Sequence, residues 1–527
     1  MNDYLRQVSA TARNAASKRN WATVDACARE ILLKDETSSE GHFLSGLVAK
    51  ATNQPDTATE AFAKALELDS ERYDAAIELA YQHSAARRNK DAAALLAKYE
   101  SKLLNSPIYL NMAGSVYSQV GLPEQAWPLF VRANELQPGI DMFQGNLASC
   151  AVFLGKIDEA KEIYQRLLSR VPNHQRNHLT YARLEKATDR KHIEQMQAVL
   201  QSTNMPPENN IFMYYAIGKE LEDLEEWEEA FRYFKMAGDA VSSVAQYDIN
   251  VDLQLIDKTI EVCNADWLSK GATSVATSSA AKTPIFIVGL PRTGTTLTDR
   301  IIASHSQVQS VGETQFMQMV LRRESGINSE EKMTPEMIEA AAKLDSQIIG
   351  DGYMDMLNYR LGDEPMFVDK LPFNILYLGF ILKAFPNAKI IRMKRNPMDS
   401  CFSMYKQVFT WAYKFSYTLD GLGRFYVAHD RLVNHWKETL QDRLIEVEYE
   451  SLVADQENQT RSLLDKLGLD FEEACLNFDK NETATTTASS IQVRQKIHTG
   501  SVDRWRNYEE QLRPLKEYLQ DAGIAVE

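Results

Sequence analysis

The N-terminal half of the chain repeats itself with a period of about 34 residues, and this period restricts the folds open to it. Four alanines share the interval: Ala58, Ala92, Ala126 and Ala160. A larger apolar residue follows each alanine four positions later: Phe62, Leu96, Phe130 and Tyr164. A small residue at a fixed position lets two helices approach closely, and the large residue one turn later fills the groove beside it. The period predicts stacked helical pairs, with an irregular helical bundle as the alternative.

Turn residues keep the same interval. Gly121 and Gly155 are one period apart, as are Pro138 and Pro172. Glycine is expected to end the first helix of a pair and proline the second. This pattern resembles the tetratricopeptide repeat, a helix–turn–helix unit that stacks into a superhelix with a concave binding face.

Three stretches carry the resemblance most clearly: GLPEQAWPLFVRANELQPG, GKIDEAKEIYQRLLSRVPN and EEWEEAFRYFKMAGDA. The interval 175–205 is degenerate, and the stretch 21–33 is interpreted as an early repeat with a shifted phase. We therefore predict a tetratricopeptide-repeat solenoid over residues 1–268, and its surface is the expected site for a protein partner.

Bulk composition limits the partners and the compartment. A chain of 527 residues predicts two or three domains, and its net charge of -15 argues against nucleic acid or an anionic membrane as the main partner. The five cysteines are far apart, without metal-ligand or redox spacing. The N-terminus has no apolar signal core, and no apolar run approaches a bilayer span. We expect a soluble cytoplasmic protein with no metal site and no membrane span.

Residues 269–283, SKGATSVATSSAAKT, are small and polar and predict a linker. After it, apolar runs of strand length alternate with helical stretches: PIFIVG, MFVDK, AKIIRMK and LIEVEYE. This alternation predicts an α/β domain with a mostly parallel central sheet over residues 284–527. Ligands of such sheets bind at the carboxyl ends of the strands, where the loop after PIFIVG is expected.

That loop, residues 289–294 (the glycine loop), has the outline of a nucleotide-phosphate loop. Gly289 and Gly294 are five residues apart, and Thr295 and Thr296 follow. Backbone N–H groups of such a loop, together with the dipole of the next helix, attract an anion. However, Thr295 stands where a phosphoryl-transfer enzyme needs its lysine. The missing lysine disfavours a P-loop nucleotide kinase or hydrolase, which is kept as the alternative function. We expect instead a nucleotide whose transferable group is not a phosphate.

The sequence VGLPRTGTTL resembles the 5′-phosphosulfate loop of sulfotransferases that use 3′-phosphoadenosine 5′-phosphosulfate (PAPS). Downstream, FVDKLPFNILYLGFILKAFPNAKIIRMKRNPMDSCFSMYKQ is similar to their 3′-phosphate segment, and closest to that of tyrosylprotein sulfotransferases. The resemblance covers residues 285–506 and implies PAPS as co-substrate, with no metal. It implies that Arg395 and Ser403 bind the 3′-phosphate. The residues implied for the 5′-phosphosulfate are Pro291, Arg292, Thr293, Gly294, Thr295 and Thr296.

The resemblance also implies catalytic roles. Glu313 in SVGETQF matches a glutamate that accepts the proton of the attacking hydroxyl, and Lys370 in VDKLPF matches a lysine that neutralises the bridging oxygen. Ser489 matches a serine that assists the transition state, with Ser490 as the alternative. Both serines belong to residues 487–508, the closing segment, which is expected to cover the cofactor. Further cofactor contacts are implied for Tyr449, Gln492, Val493, Arg494 and Arg504.

The chain departs from the tyrosylprotein pattern at three positions. Gln315 and Met319 stand where those enzymes keep basic residues for acidic peptides, and Gln407 replaces another basic residue. We therefore predict sulfuryl transfer to a hydroxyl acceptor but leave the acceptor open between a protein tyrosine or other protein hydroxyl, a saccharide and a small metabolite. The repeats are expected to recruit this acceptor or a partner. A repeat scaffold that carries an inactive sulfotransferase fold is a further alternative.

Overall fold

The computed structural model describes residues 3–103, 105–270, 282–327, 333–409, 412–487 and 489–527. The chain forms two compact units, Met1–Lys156 and Ile157–Glu527. Of the predicted linker 269–283, residues 271–281 lie outside the described residues. Within the described ranges, no helix is both long enough and apolar enough to cross a membrane.

The first unit is built from paired helices. Its helices are α1 (Asp3–Ser17), α2 (Trp21–Lys34), α3 (Ser39–Ala51), α4 (Pro55–Leu68), α5 (Tyr73–Ala85), α6 (Asn89–Tyr99), α7 (Pro107–Gln119), α8 (Pro123–Leu136) and α9 (Asp141–Phe153). Successive starts of α3, α5, α7 and α9 are one period apart, and so are those of α2, α4, α6 and α8. The predicted helical pairs are confirmed. The phase of α2 is not shifted, because Trp21 lies one period before Pro55.

Close approach of the two helices explains the small residues of the period. A Cβ atom added to Gly46 would lie 2.6 Å from the ring of Phe62, and one added to Gly114 would lie 2.8 Å from the ring of Phe130. Non-bonded carbon atoms do not approach that closely, so a large ring on the second helix requires a small residue on the first.

The second unit starts with further helices of the same kind: α10 (Ile157–Arg170), α11 (Gln175–Leu184), α12 (Lys191–Thr203), α13 (Ile211–Asp223), α14 (Trp227–Val244), α15 (Ile249–Val262) and α16 (Ala265–Ser269). Gln175 and Lys191 lie one period after Asp141 and Ile157, so the degenerate interval still folds as a helical pair in phase. Helix α13 begins slightly more than one period after α11. The period is thus lost only after this pair.

A five-stranded parallel sheet forms the rest of the second unit. Its strands are β1 (Thr283–Val288), β2 (Val308–Gly312), β3 (Met366–Lys370), β4 (Lys389–Lys394) and β5 (Leu444–Glu448), in the order β2-β3-β1-β4-β5. The helices around it are α17 (Thr295–Ile302), α18 (Phe316–Glu324), α19 (Pro335–Ala341), α20 (Ser346–Leu357), α21 (Leu378–Ala384), α22 (Pro397–Tyr405), α23 (Leu419–Leu440), α24 (Tyr449–Ala454), α25 (Gln456–Leu467) and α26 (Glu509–Asp521). The predicted mostly parallel sheet is confirmed.

Both faces of the sheet are covered, as parallel sheets require. Along β1, Phe286 and Val288 enter one hydrophobic core, while Ile285 and Ile287 enter the other. The core on the Phe286 side is continuous with buried residues of α11 to α15. The compact unit therefore begins well before the predicted domain boundary at residue 268, because these helices pack on the sheet.

Candidate active site

The carboxyl ends of all five strands carry residues predicted for the site. The glycine loop follows the central strand β1, and Lys370 ends the neighbouring strand β3. On the other side of β1, Arg395 follows β4 directly. Glu313 and Tyr449 follow the two outer strands, β2 and β5. Because carboxyl ends of parallel strands share one edge, the fold brings these residues together there.

Backbone conformation in the glycine loop is specialised. Gly289 has φ +145° and Gly294 has φ +94°, and Arg292 between them also has a positive φ of 67°. A Cβ atom at Gly294 would lie 2.6 Å from Cδ2 of Tyr449, so the tyrosine ring packs directly on the loop. Helix α17 then begins at Thr295, with its first N–H groups at the loop. This is an anion-binding geometry.

Side chains of the loop and of the helix start are largely buried: Pro291, Thr293, Thr295 and Thr296. The hydroxyl of Thr293 donates to the carbonyl of Leu290 at 2.8 Å and thus braces the loop itself. Thr296 Oγ1 lies 3.3 Å from Thr487 Oγ1 at the start of the closing segment. The start of α17 and the closing segment therefore meet at Thr296.

Arg395 links three parts of the site. Its Nη1 donates to the carbonyl of Arg292 at 2.7 Å and lies 3.4 Å from Ser403 Oγ, while Nη2 donates to the carbonyl of Ser501 at 2.6 Å. The guanidinium also lies 4.7 Å from the centre of the Tyr449 ring. Its Nε is buried and has no acceptor among the described residues. An oriented arginine with a donor to spare is what a second anion site needs.

Lys370 and Glu313 form an ion pair at the opposite end of this edge. The fully buried Lys370 Nζ donates to Glu313 Oε1, and the glutamate keeps 37% of its side chain exposed. A buried lysine paired with a partly exposed glutamate suits a group that must meet a developing negative charge.

The turn that carries Glu313 is fixed by a residue that sequence reasoning missed. Asp369, fully buried beside Lys370, accepts hydrogen bonds from Thr314 Oγ1 at 2.5 Å and from the Tyr353 hydroxyl at 2.8 Å. Burial raises the pKa of Asp369 to about 6, although these hydrogen bonds oppose the rise. The sequence signal that could have indicated Asp369 is a carboxylate that follows three apolar residues in a strand, where a buried charge without a partner would be costly.

The closing segment contacts the glycine loop through two side chains. Arg292 donates to Ser489 Oγ and, at 2.8 Å, to Gln492 Oε1. Ser490 is buried, with its N–H on the carbonyl of Thr487, so Ser489 is the serine that reaches the loop. Val493 is also buried.

Arg494 and Arg504 hold parts of the second unit together. Arg494 Nη2 donates to the carbonyl of Thr483 at 3.3 Å. Arg504 is fixed by Asp399, which was also missed: its two oxygens accept from the N–H of Asp503 at 2.7 Å and from that of Trp505 at 3.0 Å. The Arg504 side chain itself donates to Glu222 in α13 at 3.2 Å. No local pattern in the sequence indicates that last contact.

The site carries a surplus of positive charge. Burial and the nearby charge of Arg395 lower the pKa of Arg292 to about 10. An arginine with that pKa stays protonated at neutral pH. The guanidinium groups of Arg292 and Arg395 and the start of α17 therefore all place positive charge at the same edge of the sheet. A parallel α/β fold with a glycine loop after its central strand and an arginine after the neighbouring strand is the architecture of a P-loop-like domain.

Comparison with known proteins finds a match for each part of the chain. Residues 284–473 match the model of the sulfotransferase family, and residues 143–174 match that of the tetratricopeptide repeat. The chain therefore joins a part similar to tetratricopeptide repeats to a part similar to sulfotransferases.

Individual relatives share one or both parts of the chain. An uncharacterised protein of Aquifex aeolicus (strain VF5) is 30% identical over 441 residues, which cover 82% of this chain and 57% of the relative. Protein-tyrosine sulfotransferase 1 of Danio rerio is 26% identical over 238 residues, 42% of this chain and 65% of that protein. Among solved structures, the sulfotransferase domain of the Synechococcus PCC 7002 olefin synthase is 23% identical, with 44% of this chain and 89% of that chain aligned and a TM-score of 0.33. The chain thus spans less than two thirds of the length of both curated relatives.

Proposed function

We propose that this protein transfers a sulfuryl group from PAPS to a hydroxyl acceptor. The observation that carries the proposal is the meeting of two anion sites at one sheet edge, where Arg395 donates to a carbonyl of the glycine loop at 2.7 Å. A nucleotide with anionic groups on both its 5′ and 3′ positions can reach both sites. The loop has no lysine, so a terminal phosphate of ATP lacks its usual cation there.

Each end of the donor has its own residues in this proposal. The 5′-phosphosulfate binds the N–H groups of residues 292–296, with the hydroxyls of Thr295 and Thr296 as further donors. The 3′-phosphate binds Arg395 and Ser403, and the spare Nε of Arg395 supports this assignment. Tyr449 holds both sites together, since its ring contacts the loop and lies under the Arg395 guanidinium.

In the proposed reaction, the acceptor oxygen attacks the sulfur in line with the bond from sulfur to the bridging phosphate oxygen. That bond breaks, and 3′,5′-adenosine bisphosphate leaves. Glu313 accepts the proton of the acceptor hydroxyl, and Lys370 donates to the bridging oxygen as its negative charge develops. The ion pair between the two side chains orients both of them before substrate arrives. Positioning and charge stabilisation supply the catalysis.

Closure of the site is assigned to Arg292 and the closing segment. Arg292 donates to Ser489 and Gln492, so the segment covers the loop when this arginine is in place. In the proposal, Ser489 then shares the sulfuryl oxygens with Arg292. Val493, Arg494 and Arg504 hold the segment to the rest of the unit.

The acceptor is proposed to be a protein or small-molecule hydroxyl without an acidic requirement, because Gln315, Met319 and Gln407 carry no charge. The repeats of the first unit are proposed to recruit it or a partner.

Transfer of radiolabelled sulfate from PAPS tests the function. The full chain is incubated with labelled PAPS in separate reactions, each with one source of acceptors: a cell lysate, a tyrosine peptide or a saccharide panel. We expect label in at least one acceptor and an equal amount of 3′,5′-adenosine bisphosphate. Binding of that bisphosphate without transfer to any acceptor would favour the inactive scaffold. Binding of ATP that requires Mg²⁺ and exceeds binding of the bisphosphate would favour the kinase.

A further inference from the structure

A buried glutamate of a repeat-type helix contacts side chains from two later segments of the chain. Glu222, near the end of α13, is 7% exposed. Its carboxylate accepts from Lys406 Nζ at 2.6 and 2.9 Å, from Arg504 Nε at 3.2 Å and from the Tyr508 hydroxyl at 3.2 Å. All three partners lie far along the chain, at separations of 184, 282 and 286 residues. One carboxylate thus joins two cations from separate segments.

Both cations lie close in sequence to residues that contact Arg395 of the proposed 3′-phosphate site. Lys406 follows α22, the helix of Ser403, which lies 3.4 Å from Arg395. Arg504 follows Ser501, whose carbonyl accepts from Arg395 at 2.6 Å. Anything that fixes Lys406 and Arg504 therefore also shapes the surroundings of Arg395.

The charges around Glu222 do not balance within the described residues. Burial alone would raise the pKa of Glu222, but Lys406 and Arg504 hold it below its ordinary value, so the carboxylate is ionised. Burial lowers the pKa of Lys406, and Arg504 and Arg292 lower it further. Arg183 of α11, whose pKa is lowered to about 10 by burial and by the charge of Arg292, is a further cation near Arg292. Two cations, Lys406 and Arg504, thus share the Glu222 carboxylate, which leaves positive charge for an anionic ligand.

We propose that Glu222 is a positioning residue of the donor site. It holds Lys406 and Arg504 in the orientation in which they meet the 3′-phosphate of the bound nucleotide, beside Arg395. The helical pair α13–α14 then contributes to donor binding, in addition to any role in binding an acceptor or a partner. The inference rests on the proposed function.

The sign of one substitution separates positioning from a simple field effect. Glu222→Gln removes a negative charge close to an anion site. If Glu222 acted only through its field, the loss of that charge would strengthen binding of a polyanion. If it positions the two cations, binding weakens instead, because they lose their common partner and turn toward solvent.

Calorimetric titration of the full chain with 3′,5′-adenosine bisphosphate tests this. Glu222→Gln is expected to raise the Kd about tenfold, as one charge-assisted contact is worth. In transfer assays, the KM for PAPS rises while kcat at saturating PAPS stays near that of the wild type. Glu222→Asp keeps the charge and is expected to recover part of the affinity. Glu228→Gln, the same change at an exposed position of α14, is the matched control and leaves the Kd unchanged.

A double mutant keeps the test valid if Glu222→Gln also loses stability. When Glu222 acts partly through Lys406, Glu222→Gln weakens binding less in the Lys406→Met background than in the wild type. Fully additive losses, or tighter binding by Glu222→Gln, overturn the inference. If the wild type fails to bind the bisphosphate at all, the proposed function fails instead, and the two failures are thereby distinguished.

Discussion

The helical pairs before Lys156 and those after it share the repeat period but use buried charge differently. In the first unit, buried ions pair among themselves: Glu78 on α5 accepts from Lys50 at 2.6 Å, and Arg72 bridges Glu40 and Asp74. In the second unit, Glu222 on α13 accepts from Lys406 and Arg504, which belong to the transferase segments. The same kind of helix thus serves its own packing in one unit and the donor site in the other.

The ionisation of the two glutamates reflects this difference. Burial raises the pKa of Glu78, and the single lysine only partly opposes it. Glu222 is similarly buried, but two cations hold its pKa below the ordinary value. A buried carboxylate is kept ionised by the number of cations around it, and for Glu222 both cations come from the transferase segments.

Removal of the buried lysine of the site is expected to have the largest effect. Lys370→Ala should lower kcat on the order of 10³-fold, because the bridging oxygen loses its cation in the transition state. Binding of 3′,5′-adenosine bisphosphate should remain close to that of the wild type. Steady-state transfer assays and calorimetry measure the two quantities. Lys50→Ala, which removes the partner of Glu78 in the first unit, is the control and should change neither; equal losses of kcat and of affinity in Lys370→Ala would contradict the assigned role.

Removal of the arginine of the second anion site should mainly affect binding. Arg395→Ala is expected to weaken binding of the bisphosphate about 100-fold, since it loses a charge-assisted phosphate contact. Isothermal calorimetry measures the change. Arg72→Ala, a comparable buried arginine in the first unit, should lower the free energy of unfolding without changing the Kd. A change in the Kd for Arg72→Ala would mean that the first unit is not independent of the site.

The pH dependence of stability should reveal Asp369. Its pKa in the folded chain is about 6, above the ordinary value of 3.8, so the folded state favours the protonated form. The contribution of Asp369 is therefore fully present below pH 3.8 and is lost as the pH rises through about 6. Between these values, the wild type should lose on the order of 2 kcal/mol relative to Asp369→Asn. Urea unfolding at a series of pH values measures this difference, and a difference that is constant with pH would refute it.

Small residues between paired helices give the finest comparison. A Cβ atom at Gly46 would lie 2.6 Å from the Phe62 ring, and one at Gly218 would lie 2.7 Å from the Phe234 ring. Both Gly46→Ala and Gly218→Ala should lower the free energy of unfolding by about 1–2 kcal/mol through overpacking. Only Gly218→Ala should also weaken bisphosphate binding, because Glu222 lies one turn further along the same helix. Equal Kd values for the two variants would argue against the contrast between the units.

Local sequence was enough to predict those parts of the site that lie on a single loop or at the end of a single strand. The glycine loop, Lys370 and Arg395 each follow an apolar strand, and the parallel sheet brings their carboxyl ends to one edge. The resemblance to sulfotransferases narrowed the active-site serine to Ser489 or Ser490. Of these two, Ser489 accepts a hydrogen bond from Arg292.

Long-range partners could not be predicted in the same way. Asp399 accepts from the N–H of Trp505, 106 residues away, and Glu222 contacts Lys406 and Tyr508 at separations of 184 and 286 residues. Their sequence neighbours contain no signal for these contacts, because the pairing depends on how whole helices pack on the sheet. The packing of α11–α15 on the sheet was missed for the same reason, since a repeat period describes a helical pair and not its neighbours.

The central claim is that two anion sites at one sheet edge bind opposite ends of a single nucleotide. Its most direct test is calorimetric titration of the wild type with 3′,5′-adenosine bisphosphate and with 5′-AMP, both without Mg²⁺. The account predicts that the bisphosphate binds about 100-fold more tightly, because only it engages Arg395 and the glycine loop together. Equal affinities for the two nucleotides, or a preference for ATP with Mg²⁺, would contradict it.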